Sequence, residues 1–252
     1  MYDLPPAMPL FDAIDYLEDG NPIVNQYLAT ITMSQVEDAA LTYEHAVDWL
    51  LEQRFSENNY KTYRSELTTF LHWSFVAEGV SVADISRRLL MRYIDYCTQP
   101  PQELIAYRNV AQFITCKEIS ERRPNPLWRP FLGKKRDGIT QPYKITDKAL
   151  KTKLAILSAF FTYLIHEEYT ERNPAMMLMK NGRFKSGAQS QVMHEDDEAI
   201  ASFTELQWSY VMSSAEQLAA QQPDIHERSL FLVSLLYSCY LRISETAARP
   251  GR

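Results

Sequence analysis

Basic residues are nearly missing from the front of this chain: residues 1–60 carry one, Arg54, against 11 acidic groups. A secretory leader needs a positively charged start, and "MYDLPPAMPLFDAIDYLEDG" places acids there instead. Long hydrophobic runs are also lacking, none approaching the ~20 residues that a membrane-spanning helix requires. A cytoplasmic protein with no membrane association is therefore expected. Cysteine is scarce: Cys97, Cys116 and Cys239 lie far apart with no CxxC spacing, and the five histidines form no HxxxH or HExxH pair. Neither a disulfide framework nor a zinc site is supported, and neither a metal nor another cofactor is expected. Glycine is rare, at seven residues in 252, and alternating β-branched runs are almost absent. Extended sandwiches and barrels are thereby disfavoured, and the expected fold class is all-α.

The formal net charge of -6 argues against a polyanion-binding protein until its distribution is considered. Residues 61–185 are net +9, between a first segment of net -10 and a last segment, 186–252, of net -5. Such segregation suits a central module that displaces counterions from nucleic acid, and it equally suits a solvated helical surface.

Helices can be placed from periodicity and caps. Ser34 is a candidate N-cap for a stripe of Val36, Ala39, Ala40, Tyr43, Val47, Leu50 and Leu51, and Ser56 restarts the pattern with Tyr60, Tyr63, Leu67, Phe70, Leu71 and Phe75, which Gly79 stops. A third helix is expected over about Val82 to Cys97, ended by Pro100 and Pro101, and a fourth over "QELIAYRNVAQFITCKEIS". The following "ERRPNPLWRPFLGKKRDGITQPY" is too rich in proline and glycine for a long regular element, and reads as a basic, aromatic loop in which Trp128 serves as a hydrophobic anchor. Thr146 then caps a helix whose buried stripe is Leu150, Leu154, Leu157, Phe160, Phe161 and Leu164, and Asn173-Pro174 breaks it. The polar stretch 181–202 reads as a linker. Thr204 caps a helix with Leu206, Trp208, Val211 and Met212 inward, and a last apolar helix spans about His226 to Ala247.

Three of these stretches resemble the tyrosine recombinase (phage integrase) family. "NNYKTYRSELTTFLHWSFVAEGVSVADISRRLLMRYIDYC" resembles the first helices of its core-binding domain, and "KALKTKLAILSAFFTYLIHEEYTERNPAMML" resembles the closing helix of that domain with the Asn-Pro-Ala after it. "LFLVSLLYSCYLRISE" resembles the start of the catalytic domain, where the family commonly has Thr-Gly-Leu-Arg-x-Ser-Glu; Cys239 and Tyr240 replace the Thr and Gly. The order and spacing agree over about residues 34–247, although the segment from Pro100 to Tyr143 is longer than in the simplest members.

The resemblance implies an acidic extension (1–33), a SAM-like helical core-binding domain (34–180), a linker (181–202) and a helical fragment of a mixed α/β catalytic domain (203–252). It implies double-stranded DNA as partner, with an intact parent that acts as a homo-oligomer, a tetramer on DNA, through a covalent phosphotyrosine. Arg242 corresponds to the first active-site arginine, whose guanidinium would donate paired hydrogen bonds to the reacting phosphate. Judged alone, Arg242 fits a helix-end arginine snorkelling to water equally well. The family's Lys, His-x-x-Arg and nucleophilic Tyr find no counterpart after Arg242, so the chain by itself is expected to be unable to cut DNA; Tyr237 and Tyr240 read as packed aromatics. Expected DNA contacts are Lys61 and Arg64 on one helix and Lys148, Lys151 and Thr152 on another, with Arg87, Arg88, Arg122, Arg123, Lys134, Lys135 and Arg136 as further phosphate-positioning candidates. A helical protein-interaction or regulatory module is the alternative function.

Overall fold

The computed structural model describes residues 7–116, 121–136, 138–180 and 204–239. The chain divides into two units, residues 1–188 and 189–252.

The first unit is built on helices α1 (Pro22–Ser34), α2 (Ala39–Glu52), α3 (Glu57–His72), α4 (Arg87–Thr98), α5 (Asp147–His166) and α6 (Pro174–Lys180). Side-chain caps begin most of them. Ser56, Ser86 and Thr146 accept hydrogen bonds from the amides of Asn59, Leu89 and Ala149, which satisfies a donor left open in each first turn. α3 continues as a π-helical turn, Trp73–Glu78, and ends at Gly79 with φ 63°, the left-handed geometry that a residue lacking Cβ adopts without strain.

The core is aromatic. Phe70 of α3 meets Tyr93 of α4 and Phe161 of α5 edge to face, with ring centroids 5.2 and 5.9 Å apart, and Trp49 of α2 lies against Phe160 at 5.3 Å. The expected α5 stripe, Leu150 through Leu164, is buried throughout.

Several expectations need correction. The chain is mainly helical, but three small strand pairs stand where the fourth helix was expected and in the loop beyond it. β1 (Ile105–Ala106) pairs in parallel with β4 (Phe131–Leu132); β2 (Phe113–Thr115) is antiparallel to β3 (Arg122–Pro124), and β5 (Lys135–Arg136) to β6 (Ile139–Thr140). The β2 segment is extended because its partner is non-local: Asn125 donates its backbone amide to the Gln112 carbonyl and its side-chain amide to the Ala111 carbonyl, a geometry local periodicity cannot reveal.

Residues 7–33 are not an extension outside the helical domain. Leu10, Phe11 and Leu17 and, on α1, Val24, Leu28 and Ile31 belong to the same core. Ser34 closes α1 instead of capping the next helix, its hydroxyl donating to the Thr30 carbonyl at 2.7 Å. The third expected helix begins late, because the backbone straightens at Ile85 before Ser86 caps α4. Trp128 is buried at 6% exposure, as a loop anchor should be.

The second unit pairs α7 (Glu205–Gln221) with α8 (Pro223–Cys239). Thr204 and Gln207 form a reciprocal capping box at the start of α7. Trp208 packs on Tyr237 with centroids 4.9 Å apart, but Leu206, expected inward, is 82% exposed. Arg242 and Tyr240 lie outside the described residues, as does the linker 181–202.

Among the described residues no helix is long and apolar enough to cross a membrane, and no group of three or more His, Cys, Asp or Glu could hold a metal ion.

Candidate nucleic-acid interface

At 100° per residue, positions 148, 151 and 152 share one face of α5, whereas 150 and 154 point the other way. The burial follows this geometry. Leu150 and Leu154 are in the core, and Lys148, Lys151 and Thr152 are exposed. The Thr152 hydroxyl donates to the Lys148 carbonyl at 3.1 Å, which binds it to the helix and leaves the oxygen lone pairs and methyl outward.

On α3, Lys61 is exposed and pairs with Glu57 one turn earlier at 2.5 Å. The hydrogen bond from Lys61, and then its charge, lowers the Glu57 carboxyl below its ordinary range. Arg64 is half-buried, its guanidinium stacked 5.5 Å from the centre of the Tyr60 ring. Burial pushes the Tyr60 hydroxyl up to about 12, against the opposing pull of Arg64, so it remains a neutral donor and reaches the Asp12 carbonyl.

Two contacts set the relation of these helices. Lys153 of α5 forms a salt bridge with Glu66 of α3, and farther along Phe161 meets Phe70.

The Glu66–Lys153 pair is the feature that sequence reading missed. The side chains are 5% and 21% exposed. Tyr93 donates to the second carboxylate oxygen of Glu66 at 2.7 Å. Burial opposes the charge of Lys153, yet the Glu66 carboxylate, supported by Cys97 and Tyr143, outweighs it and holds the ammonium above the ordinary lysine range. The same burial pushes the Cys97 thiol up to about 12 and Tyr93 well above a free phenol. A signal was present: Glu66 stands three residues after Tyr63 and four before Phe70, an acid at a core-facing position of the stripe.

The weaker candidates are scattered. Arg87 and Arg88 are exposed at the start of α4, and Lys134, Lys135 and Arg136 are exposed on and beside β5. Arg123 pairs with Glu121 at 3.5 Å. Arg122 is committed elsewhere: its Nε donates to Asp12 at 2.9 Å, a second nitrogen pairs with the same carboxylate, and a third reaches the Thr115 hydroxyl at 3.3 Å. Its guanidinium also covers Tyr16, so it fastens the N-terminal segment to β3 and is not available as a phosphate ligand.

The chain matches no family model, and neither a curated protein nor a solved structure matches it.

Proposed function

We propose that the helical unit binds double-stranded DNA through the α5 face formed by Lys148, Lys151 and Thr152, with Lys61 and Arg64 of α3 beside it. In this reading it is a SAM-like core-binding domain of the tyrosine recombinase type, and the second unit begins the catalytic domain in which Arg242 holds the reacting phosphate. The observation that carries the proposal is the division of labour on α5. Lys153 is turned inward to Glu66, while Lys148 and Lys151, one turn apart, are left to solvent. Exposed lysine and threonine at that spacing can meet consecutive phosphate oxygens and base edges, as a groove-seated helix requires. Lys61 would exchange Glu57 for a phosphate, a trade between two solvated ion pairs that costs little.

The test is fluorescence anisotropy of a labelled duplex titrated with the full chain at several salt concentrations. Affinity should fall steeply with salt, and Lys148→Gln with Lys151→Gln should flatten the log–log slope by about 1.8, at ~0.9 per phosphate released. Absence of binding at low salt would refute the reading. Binding of a protein partner that is indifferent to DNA and to these two substitutions would favour the interaction-module alternative.

A further inference from the structure

The β5–β6 hairpin is conspicuous for what it does not bury. Lys135, Arg136, Ile139 and Thr140 are all exposed, Ile139 by 67%, and the turn passes through Gly138 at φ 79°. A two-stranded ribbon of this length is marginal in water on its own. Here its base is anchored. The Gly133 amide donates to the Ala106 carbonyl at 2.8 Å, and the Gln141 amide to the Lys134 carbonyl at 2.9 Å. Gly133 lies so close under Tyr107 that a Cβ there would come within 2.5 Å of the ring, and Lys135 holds its ammonium 5.9 Å from the centre of the same ring. The fold thus fixes the root of the ribbon, on which Lys134, Lys135 and Arg136 are exposed.

Along the sequence the charge is concentrated just ahead of α5 and on its first turns. Residues 134–152 carry six basic groups, Lys134, Lys135, Arg136, Lys144, Lys148 and Lys151, against Asp137 and Asp147. Seven residue steps separate the end of β6 at Thr140 from the start of α5 at Asp147. At ~3.5 Å per residue the two are at most about 25 Å apart, less than the ~34 Å of one duplex turn.

We propose that this hairpin is a second arm on the DNA that α5 contacts, resting on the DNA-binding reading above, with Lys134, Lys135 and Arg136 on phosphates within one helical turn of the α5 contacts. The exposed ribbon adds backbone affinity, and α5 carries base recognition. Its contribution is consequently independent of sequence and dependent on salt.

The experiment is the same anisotropy titration with full chain bearing Lys134→Gln, Lys135→Gln and Arg136→Gln. The salt slope should flatten by about 2–3, at ~0.9 per lost contact, equally for unrelated duplex sequences. The far-ultraviolet circular dichroism should stay unchanged, because the replaced side chains are exposed. Should the triple variant melt early, the single variants Lys134→Gln and Arg136→Gln each carry the test with an expected change of about 0.9. An unchanged slope in these variants, while Lys148→Gln with Lys151→Gln flattens it, overturns the hairpin proposal and leaves the α5 reading standing. A wild-type chain that binds no duplex at low salt overturns both.

Discussion

Replacing Lys153 by methionine tests whether the Glu66–Lys153 pair holds α5 against α3. The substitution keeps the length and apolar stem of the side chain and removes the ammonium. Glu66, 5% exposed, then keeps one donor, the Tyr93 hydroxyl at 2.7 Å, and its charge is otherwise uncompensated. Stranding one member of a buried pair costs about 3–5 kcal/mol, equivalent to a fall of roughly 6–20 °C in Tm for a unit of this size. Replacing both residues, as Glu66→Met with Lys153→Met, removes the stranded charge and should recover most of the loss. What remains is about 1–3 kcal/mol for the buried Tyr93 hydroxyl deprived of the Glu66 carboxylate, and adding Tyr93→Phe should remove most of that remainder. Urea titration followed by tryptophan fluorescence is suitable, since Trp73 lies 5.1 Å from the Tyr93 ring. The pH dependence has a definite sign. The Lys153 pKa is raised on folding, so its contribution is complete below the ordinary lysine value near 10.4 and is lost only as pH rises through the raised value. The wild-type advantage over Lys153→Met should therefore be level between about pH 7 and 9. A loss under about 1 kcal/mol in the single variant, or a double variant no more stable than it, would refute the reasoning.

Two further substitutions probe other fastenings. Asn173 accepts from the Met176 amide at 2.8 Å and donates to the Ser158 carbonyl at 2.8 Å and the Thr162 hydroxyl at 3.0 Å, so Asn173→Ala should cost about 2–3 kcal/mol in urea unfolding through the lost cap and the buried acceptors. A change within 0.5 kcal/mol, the scale of ordinary surface substitutions, would contradict it. Arg122→Met leaves the buried Asp12 carboxylate with the Ala13 amide; discounted for the partial exposure of Arg122, the cost should be about 2 kcal/mol, with faster hydrogen exchange confined largely to residues 7–20 and β3. Unchanged exchange in the N-terminal segment would show that this ion pair does not anchor it.

What the sequence disclosed depended on how locally each feature is determined. Thr146 and Thr204 were legible as caps because a cap is a bond across three residues, and the α5 stripe was legible because its period lies within one element. Even α1 carries a local signal: Asn21 followed by Pro22 is a helix start, and Asn21 does accept from the Ile23 and Val24 amides. The acidity of the first sixty residues obscured it. Strand β2 was out of reach for another reason, since Phe113–Thr115 is extended only because Arg122–Pro124 is there to pair with it. The proposed contact surface was half legible. Helical phase identified Lys148, Lys151 and Thr152 as outward residues, but nothing local distinguished Lys153 from them, because its partner is 87 residues away.

That distinction bears on how the interface would work. Lysines on a solvated helix contribute charge wherever the helix lies, but register on a duplex requires the helix itself to be immovable. The buried carboxylate of Glu66 holds Lys153, and Tyr93 holds that carboxylate, so the second turn of α5 is tied to both α3 and α4. Asn173 ties the later turns to α6 through Ser158 and Thr162. The outward side chains Lys148, Lys151 and Thr152 are therefore carried by a helix fixed near both ends. Loosening the inner pair should harm sequence discrimination more than total affinity. With Lys153→Met assayed well below its melting temperature, the ratio of cognate to unrelated duplex affinity should fall while the salt slope keeps its wild-type value, because the charges proposed to face phosphate are untouched. A parallel fall in both affinities with an altered slope would instead place Lys153 among the phosphate contacts.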